Sequence, residues 1–196
     1  WILLGSKFLA IIKMQLILVS LVMISGILFQ IYNGYYDFEI GHYLYELIGL
    51  SMISYVIWAL LAFLIQTLIT DRYVGLFIMI LLFIGIPLLG AAGLEQSIFK
   101  YNAGTGYAYS DMNGYGSSIN RFFLYKIYWL SLGLVFYVLS YLFYFRGLPS
   151  SFKERIVLAK SRFKGKYPKF LGFFLLIFFS SGGYLYYETN VLNKRT

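Results

Sequence analysis

Phe8–Ile31, Tyr43–Thr70, Tyr73–Leu94, Phe122–Phe145 and Phe170–Tyr187 are apolar runs that hold, between them, no charged residue other than Lys13, Glu46 and Lys126. A helix rises about 1.5 Å per residue, so roughly 20 residues cross a hydrocarbon core of about 30 Å. Lipid offers no partner to a backbone N–H or C=O, and a long run in hydrocarbon must therefore satisfy its own backbone as a helix or within a closed barrel. These runs lack the alternation of barrel strands. They predict an all-α, polytopic transmembrane helical bundle of about five spans, at about 8–31, 43–70, 73–94, 122–145 and 170–187. Composition agrees: 60% of the residues are hydrophobic and 12% charged, against about half and about a quarter in a soluble domain.

The breaks between the runs carry the orientation. Arg146–Lys169 holds Arg146, Lys153, Arg155, Lys160, Arg162, Lys164, Lys166 and Lys169 against the single acid Glu154. The net charge of +8 would suggest nucleic-acid binding in a soluble domain. Concentrated in one linker between apolar runs, it is instead the pattern of a cytoplasmic loop, and no nucleic-acid partner is implied. With this linker inside, Lys7, Lys13 and Arg72 also fall inside. Asp37, Glu39, Glu46, Glu95, Asp111 and Glu188 then fall outside. The expected topology places the start of the chain inside, the connections Tyr32–His42 and Glu95–Arg121 outside, and the C-terminal tail extracytoplasmic.

Within the basic linker, Ser151 and Glu154 have the spacing of a capping box. Phe152, Ile156, Ala159 and Phe163 then fall on one face of a short helix at about 151–163, with Lys153, Arg155, Lys160 and Arg162 elsewhere. That pattern predicts an amphipathic helix on an anionic surface, ended by Gly165 and Pro168. Asp71-Arg72 is a tight turn that makes a helical hairpin of its neighbours. Pro87 removes a backbone donor and predicts a kink, and Gly90, Ala91, Ala92 and Gly93 permit close helix approach. Lys13 is placed to extend its ammonium to the headgroups. His42 reads as an interfacial residue and Glu46 as a carboxylate favoured by a helix start. Arg121 and Lys126, at the outer end of one span, are candidates to pair with Glu46 or Glu95.

Glu95–Arg121 is the longest polar interruption. It is rich in glycine and tyrosine and cannot remain in hydrocarbon. Its motif Tyr109, Ser110, Asp111, Asn113 and Gly114 is the candidate outer contact. Glycine pairs here do not sit between a strand and a helix, so no phosphate cradle is implied. The chain contains no HExxH, GxxxxGK[ST] or GxSxG and no cysteine. No catalytic, cofactor-binding or metal-binding residue is assigned, and this segment is not expected to be an enzyme.

Several stretches together resemble a known family. They are YNGYYDFEIGHYLYELIGL from Tyr32, Gly93-Leu94-Glu95, YSDMNGYG at Tyr109–Gly116, FFLYKIYW from Phe122, and YYETNVLN at Tyr186–Asn193. They are similar to the membrane portion of Bacteroidota proteins that join a type-2 ABC-transporter permease region to a C-terminal zinc metallopeptidase of the aminopeptidase-N type. The resemblance implies a permease-like domain over 1–196, a separate ABC ATPase subunit as partner, and a peptidase beginning beyond Thr196 on the extracytoplasmic side. Zinc is expected only in that peptidase. Lys153, Arg155, Lys160 and Arg162 become candidates for ATPase docking or for lipid contact. A permease of this kind is expected to form a homodimer or to carry an internal pseudo-repeat; the alternatives are a non-transporting membrane anchor for an external enzyme, and an accessory subunit of a larger envelope complex.

The chain opens on Trp1 inside an apolar run and is read as a piece of a longer polypeptide. The expected intact mass of the purified protein therefore exceeds 22.7 kDa by tens of kilodaltons, with an HExxH motif in the added sequence. A mass near that of these residues alone removes the fusion reading.

Overall fold

The computed structural model describes residues 2–94, 96–110, 112, 114–116, 118–145 and 152–192. The described residues form six main helices and no strand. Helix α1 is Ile2–Tyr32, α2 is Ile40–Leu68, α3 is Arg72–Leu88, α4 is Ser118–Phe143, α5 is Phe152–Arg162 and α6 is Tyr167–Tyr187. Four of them, α1, α2, α4 and α6, are long and apolar enough to cross a membrane. The chain is thus an all-helical integral membrane protein.

The third expected span differs in extent. Helix α3 has 17 residues, a rise of about 26 Å, and it ends at Leu88 and not at Leu94. Pro87 lies in its last turn, where the donor it lacks would have bonded a carbonyl four residues back, and the helix ends one residue later. Turns through Gly90 and Gly93 follow, with Gly93 at φ +92° and Leu94 N donating to Leu89 O at 3.0 Å. At its other end α3 is capped by Asp71, whose Oδ1 accepts from Tyr73 N and Val74 N at 2.7 and 3.2 Å. Gly75 lies against the Gln66 side chain, which closes the α2–α3 hairpin.

The structure divides into two units, with the boundary between Ala59 and Leu60 inside α2. In the first, α1 runs antiparallel to the first part of α2. Gln15 Nε2 donates to Tyr55 O at 3.1 Å, and Gly26 faces the Tyr43 ring near the far end. Leu44–Ser51 within α2 is a π-helical stretch. Wider turns of this kind change the helical phase of the residues that follow.

In the second unit α4 and α6 form an antiparallel pair in contact along their length. Tyr141 stacks on Tyr167 at 4.8 Å, Tyr128 stacks on Phe178 at 4.6 Å, and Arg121 meets Glu188 at 3.2 Å. The last turns of α2 pack on α4 through Phe63 and Tyr137, with ring centroids 6.0 Å apart, and through Leu60 against Gly133. Small residues allow this approach, because helices in lipid associate mainly by packing.

Two adjacent glycines in α6 test this arrangement. A Cβ on Gly182 would lie 2.8 Å from Tyr128 Cε2, whereas Gly183 has nothing within 4 Å. The Tyr128 ring is held by its stack on Phe178 and cannot swing away freely. Gly182→Val is expected to cost about 1–3 kcal/mol through overpacking, read as a lower thermal unfolding midpoint in detergent. Gly183→Val is expected to leave that midpoint unchanged.

Candidate functional site

Helix α5 is the element that the basic linker builds, and two of its arginines turn inward. Arg155 is 7% exposed. Its Nη1 donates to the carbonyls of Thr67 at 2.8 Å and Leu68 at 3.0 Å, and its Nη2 donates to Thr70 Oγ1 at 3.1 Å. These carbonyls close α2, where no further turn of helix supplies donors. Arg162 does the same for α4, with Nη1 donating to Tyr141 O at 3.3 Å and to Tyr144 O. Its guanidinium also lies over the Tyr141 ring at 5.9 Å. A cation at a helix C-terminus is favoured by the helix dipole, and a planar guanidinium reaches two carbonyls at once.

The spacing explains the geometry. Residues 155 and 162 are seven apart, two turns of helix, and lie on one face about 10.5 Å from each other. Packed helices sit roughly 8–10 Å apart. Helix α5 therefore lies across the ends of α2 and α4, with buried Ala159 between the two arginines. Both span ends belong to the same side of the bundle, as an antiparallel reading of the chain requires.

The other candidates on α5 point elsewhere. Lys153 and Lys160 are exposed, together with Ile156, Val157 and Phe163. The sequence reading grouped Lys153, Arg155, Lys160 and Arg162 as one set. The structure divides them into two caps and two surface lysines. Glu154 is exposed, and its expected capping partner Ser151 lies outside the described residues, as do Arg146–Pro149.

At the opposite ends of α4 and α6 the polar loop is tied down. Lys126, 5% exposed, donates from Nζ to Asn102 O at 3.0 Å and to Asn102 Oδ1 at 2.9 Å. Asn102 has φ +59°, a left-handed conformation that asparagine tolerates better than most residues. Tyr101 packs edge-on to Trp129 at 5.2 Å, and burial pushes its phenol above the ordinary tyrosine range. Arg121 pairs with Glu188, Lys126 binds Asn102, and Glu95 lies outside the described residues. Gln96 Nε2 donates to Asn190 Oδ1 at 3.0 Å, beside a cavity of about 500 Å³ lined by Gly93, Leu94, Gln96, Phe99, Tyr186 and Asn190.

Ser110 and Gly114 of the tyrosine-rich motif are hydrogen-bonded to each other. Ser110 N donates to Gly114 O at 3.0 Å and Gly114 N to Ser110 O at 2.7 Å. Gly114 takes φ +57°, open to glycine at little cost. Tyr109 meets Tyr115 edge-on at 5.3 Å, and Met112 at the tip is 99% exposed. Asp111 and Asn113 lie outside the described residues. In the first unit His42 Nε2 lies 3.4 Å from Glu46 Oε1, within and just before the π-helical stretch. Among the described residues no group of three or more His, Cys, Asp or Glu side chains is arranged to hold a metal ion.

Comparison of the chain with protein-family models, with curated proteins and with solved structures finds no match.

The arginine caps predict an asymmetric mutational response. Hydrogen bonds from a charged donor contribute about 1.5–3 kcal/mol each, and removing the donor here leaves part-buried carbonyls without it. Arg155→Ala is expected to destabilise the protein by about 2–3 kcal/mol. Arg155→Lys recovers only part of this, since an ammonium does not span both carbonyls and Thr70. Lys153→Ala is neutral. Thermal unfolding of the three variants in one detergent checks the order.

Proposed function

We propose that the chain is the membrane-spanning part of a type-2 ABC-transporter permease, fused beyond Thr196 to an extracytoplasmic zinc aminopeptidase and served by a separate ATPase. What supports the reading is the resemblance carried by Tyr32–Leu50, Tyr109–Gly116 and Tyr186–Asn193, together with the all-helical architecture. The single observation that carries it furthest is the seating of α5. Arg155 holds the end of α2 and Arg162 the end of α4, so a displacement of α5 by a partner is delivered to two spans at once. A simple anchor for an external enzyme has no use for such a link.

In this reading α3 serves as a fifth span. Its 17 helical residues are extended by the turns from Leu89 to Leu94, and the remaining mismatch with the bilayer is taken up by local thinning. Five spans with α5 on the cytoplasmic side place the end of α6 outside the cytoplasm. The orientation rests on the positive-inside rule.

The partner meets α5 on its aqueous edge, where Glu154 and Ser161 are exposed. A photo-crosslinking residue at Ser161 in the full-length protein, activated in native membranes, is expected to trap a subunit carrying a GxxxxGK[ST] phosphate-binding loop. The unmodified protein solubilised in mild detergent is expected to bring ATP hydrolysis with it. Absence of an ATPase from both experiments favours the anchor.

A further inference from the structure

Helix α5 has a third face, and its chemistry is neither that of the caps nor that of the aqueous edge. On a helix of about 3.6 residues per turn, Arg155, Ala159 and Arg162 share the inward face. Glu154 and Ser161 share one flank. The remaining arc carries Ile156, Val157, Lys153 and Lys160, and Phe163 follows directly after the helix. Val157 is 69% exposed and Ile156 and Phe163 are each 46% exposed, while Lys153 and Lys160 are exposed beside them. Lys164 and Lys166 follow, exposed, before α6 begins at Tyr167.

We propose that this arc is a binding surface for anionic phospholipid, with Ile156, Val157 and Phe163 seated at the acyl boundary and Lys153 and Lys160 on the headgroup phosphates. Three observations select a lipid surface. The caps fix α5 across the ends of two spans, which is the depth and the orientation that an interfacial helix adopts. The exposed apolar groups and the lysines lie on one arc, so one planar surface meets both. The sign of the charge fits an anionic leaflet, which attracts lysines close to its surface. The inference rests on the membrane-spanning fold and not on transport. The same two arginines then make lipid charge felt at the ends of α2 and α4.

These 196 residues contain no cysteine, so a single label can be placed in the full-length protein once any cysteine beyond them has been replaced by serine. A single Val157→Cys, labelled with bimane and reconstituted in bilayers, is exposed in turn to brominated phosphatidylglycerol and brominated phosphatidylcholine at equal mole fraction. Each lysine near an anionic surface contributes an enrichment of roughly fivefold. Quenching by the anionic lipid is expected to exceed that by the zwitterionic lipid several-fold. Lys153→Gln with Lys160→Gln, both at exposed positions, is expected to bring the ratio close to one without lowering the unfolding midpoint. A label at Ser161→Cys is expected to be quenched weakly by either lipid.

Equal quenching of the Val157 label by the two lipids overturns the anionic preference. Quenching by neither lipid overturns the membrane surface altogether. In that case a label also shielded from aqueous iodide assigns the arc to a protein partner, and a label open to iodide assigns it to water. A missing ATPase, by contrast, leaves the quenching ratio untouched, so failure of the transport reading and failure of this one are told apart.

Discussion

A helix that ends at a bilayer surface leaves its last carbonyls without intrahelical donors, in a region where water is scarce and each stranded group costs free energy. The rest of the second unit depends on how that constraint is met. Ile69 N returns to Ile65 O at 2.9 Å, which satisfies one carbonyl at the end of α2. Arg155 takes those of Thr67 and Leu68. Arg162 takes those at the end of α4. Because both donors belong to one short helix, satisfying two helix ends also sets the distance between them. The stack of Phe63 on Tyr137 and the approach of Leu60 to Gly133 are then packing consequences of a spacing fixed from the end.

The opposite end solves a related difficulty with different residues. Lys126 is buried in the first turns of α4, and its ammonium meets the neutral Asn102. Asn102 offers both its backbone and its side-chain oxygen to one ammonium, and the left-handed backbone at Asn102 brings the two oxygens together. The ammonium also lies 5.3 Å from the Phe122 ring centroid, within the range of a cation–π attraction. Arg121 and Glu188 form the ion pair at the rim, where Arg121 remains half exposed and screening keeps its contribution small. The buried lysine therefore orders the loop, and the ion pair adds register between α4 and α6.

The apolar runs made the helices legible because a span needs little more than length and hydropathy. The tight turn at Asp71-Arg72 and Gly165 as a stop after the basic helix were legible for local reasons, whereas the capping role of Asp71 came only with the structure. Four further features were not legible. Pro87 signalled a disturbance of the helix, but not that the helix ends one residue beyond it. The π-helical stretch Leu44–Ser51 leaves no mark in composition. Glu46, read as a helix-start carboxylate, instead faces His42 one turn back. The partner of Lys126 is Asn102 in the loop and that of Arg121 is Glu188 just after α6, and charge counting has no access to a neutral asparagine acting as the receptor of a cation.

The division of the four basic residues on α5 carries the most instructive failure. Counting charge treats Lys153, Arg155, Lys160 and Arg162 as equivalent, and an amphipathic reading places them all away from the apolar side. Yet two are arginines seven residues apart, and the other two are lysines seven residues apart on another face. Guanidinium is weakly hydrated and forked, suited to a fixed pair of carbonyls, whereas ammonium is a hydrated point charge suited to a fluid surface. Residue type combined with a two-turn spacing was the signal available in the sequence. The arginine pair matches the distance between two packed helices, and the lysine pair runs along the exposed length of the same helix. One short segment thus holds two spans together with one face and meets its surroundings with the other, because the chemistry of the two cations differs even where their charge does not.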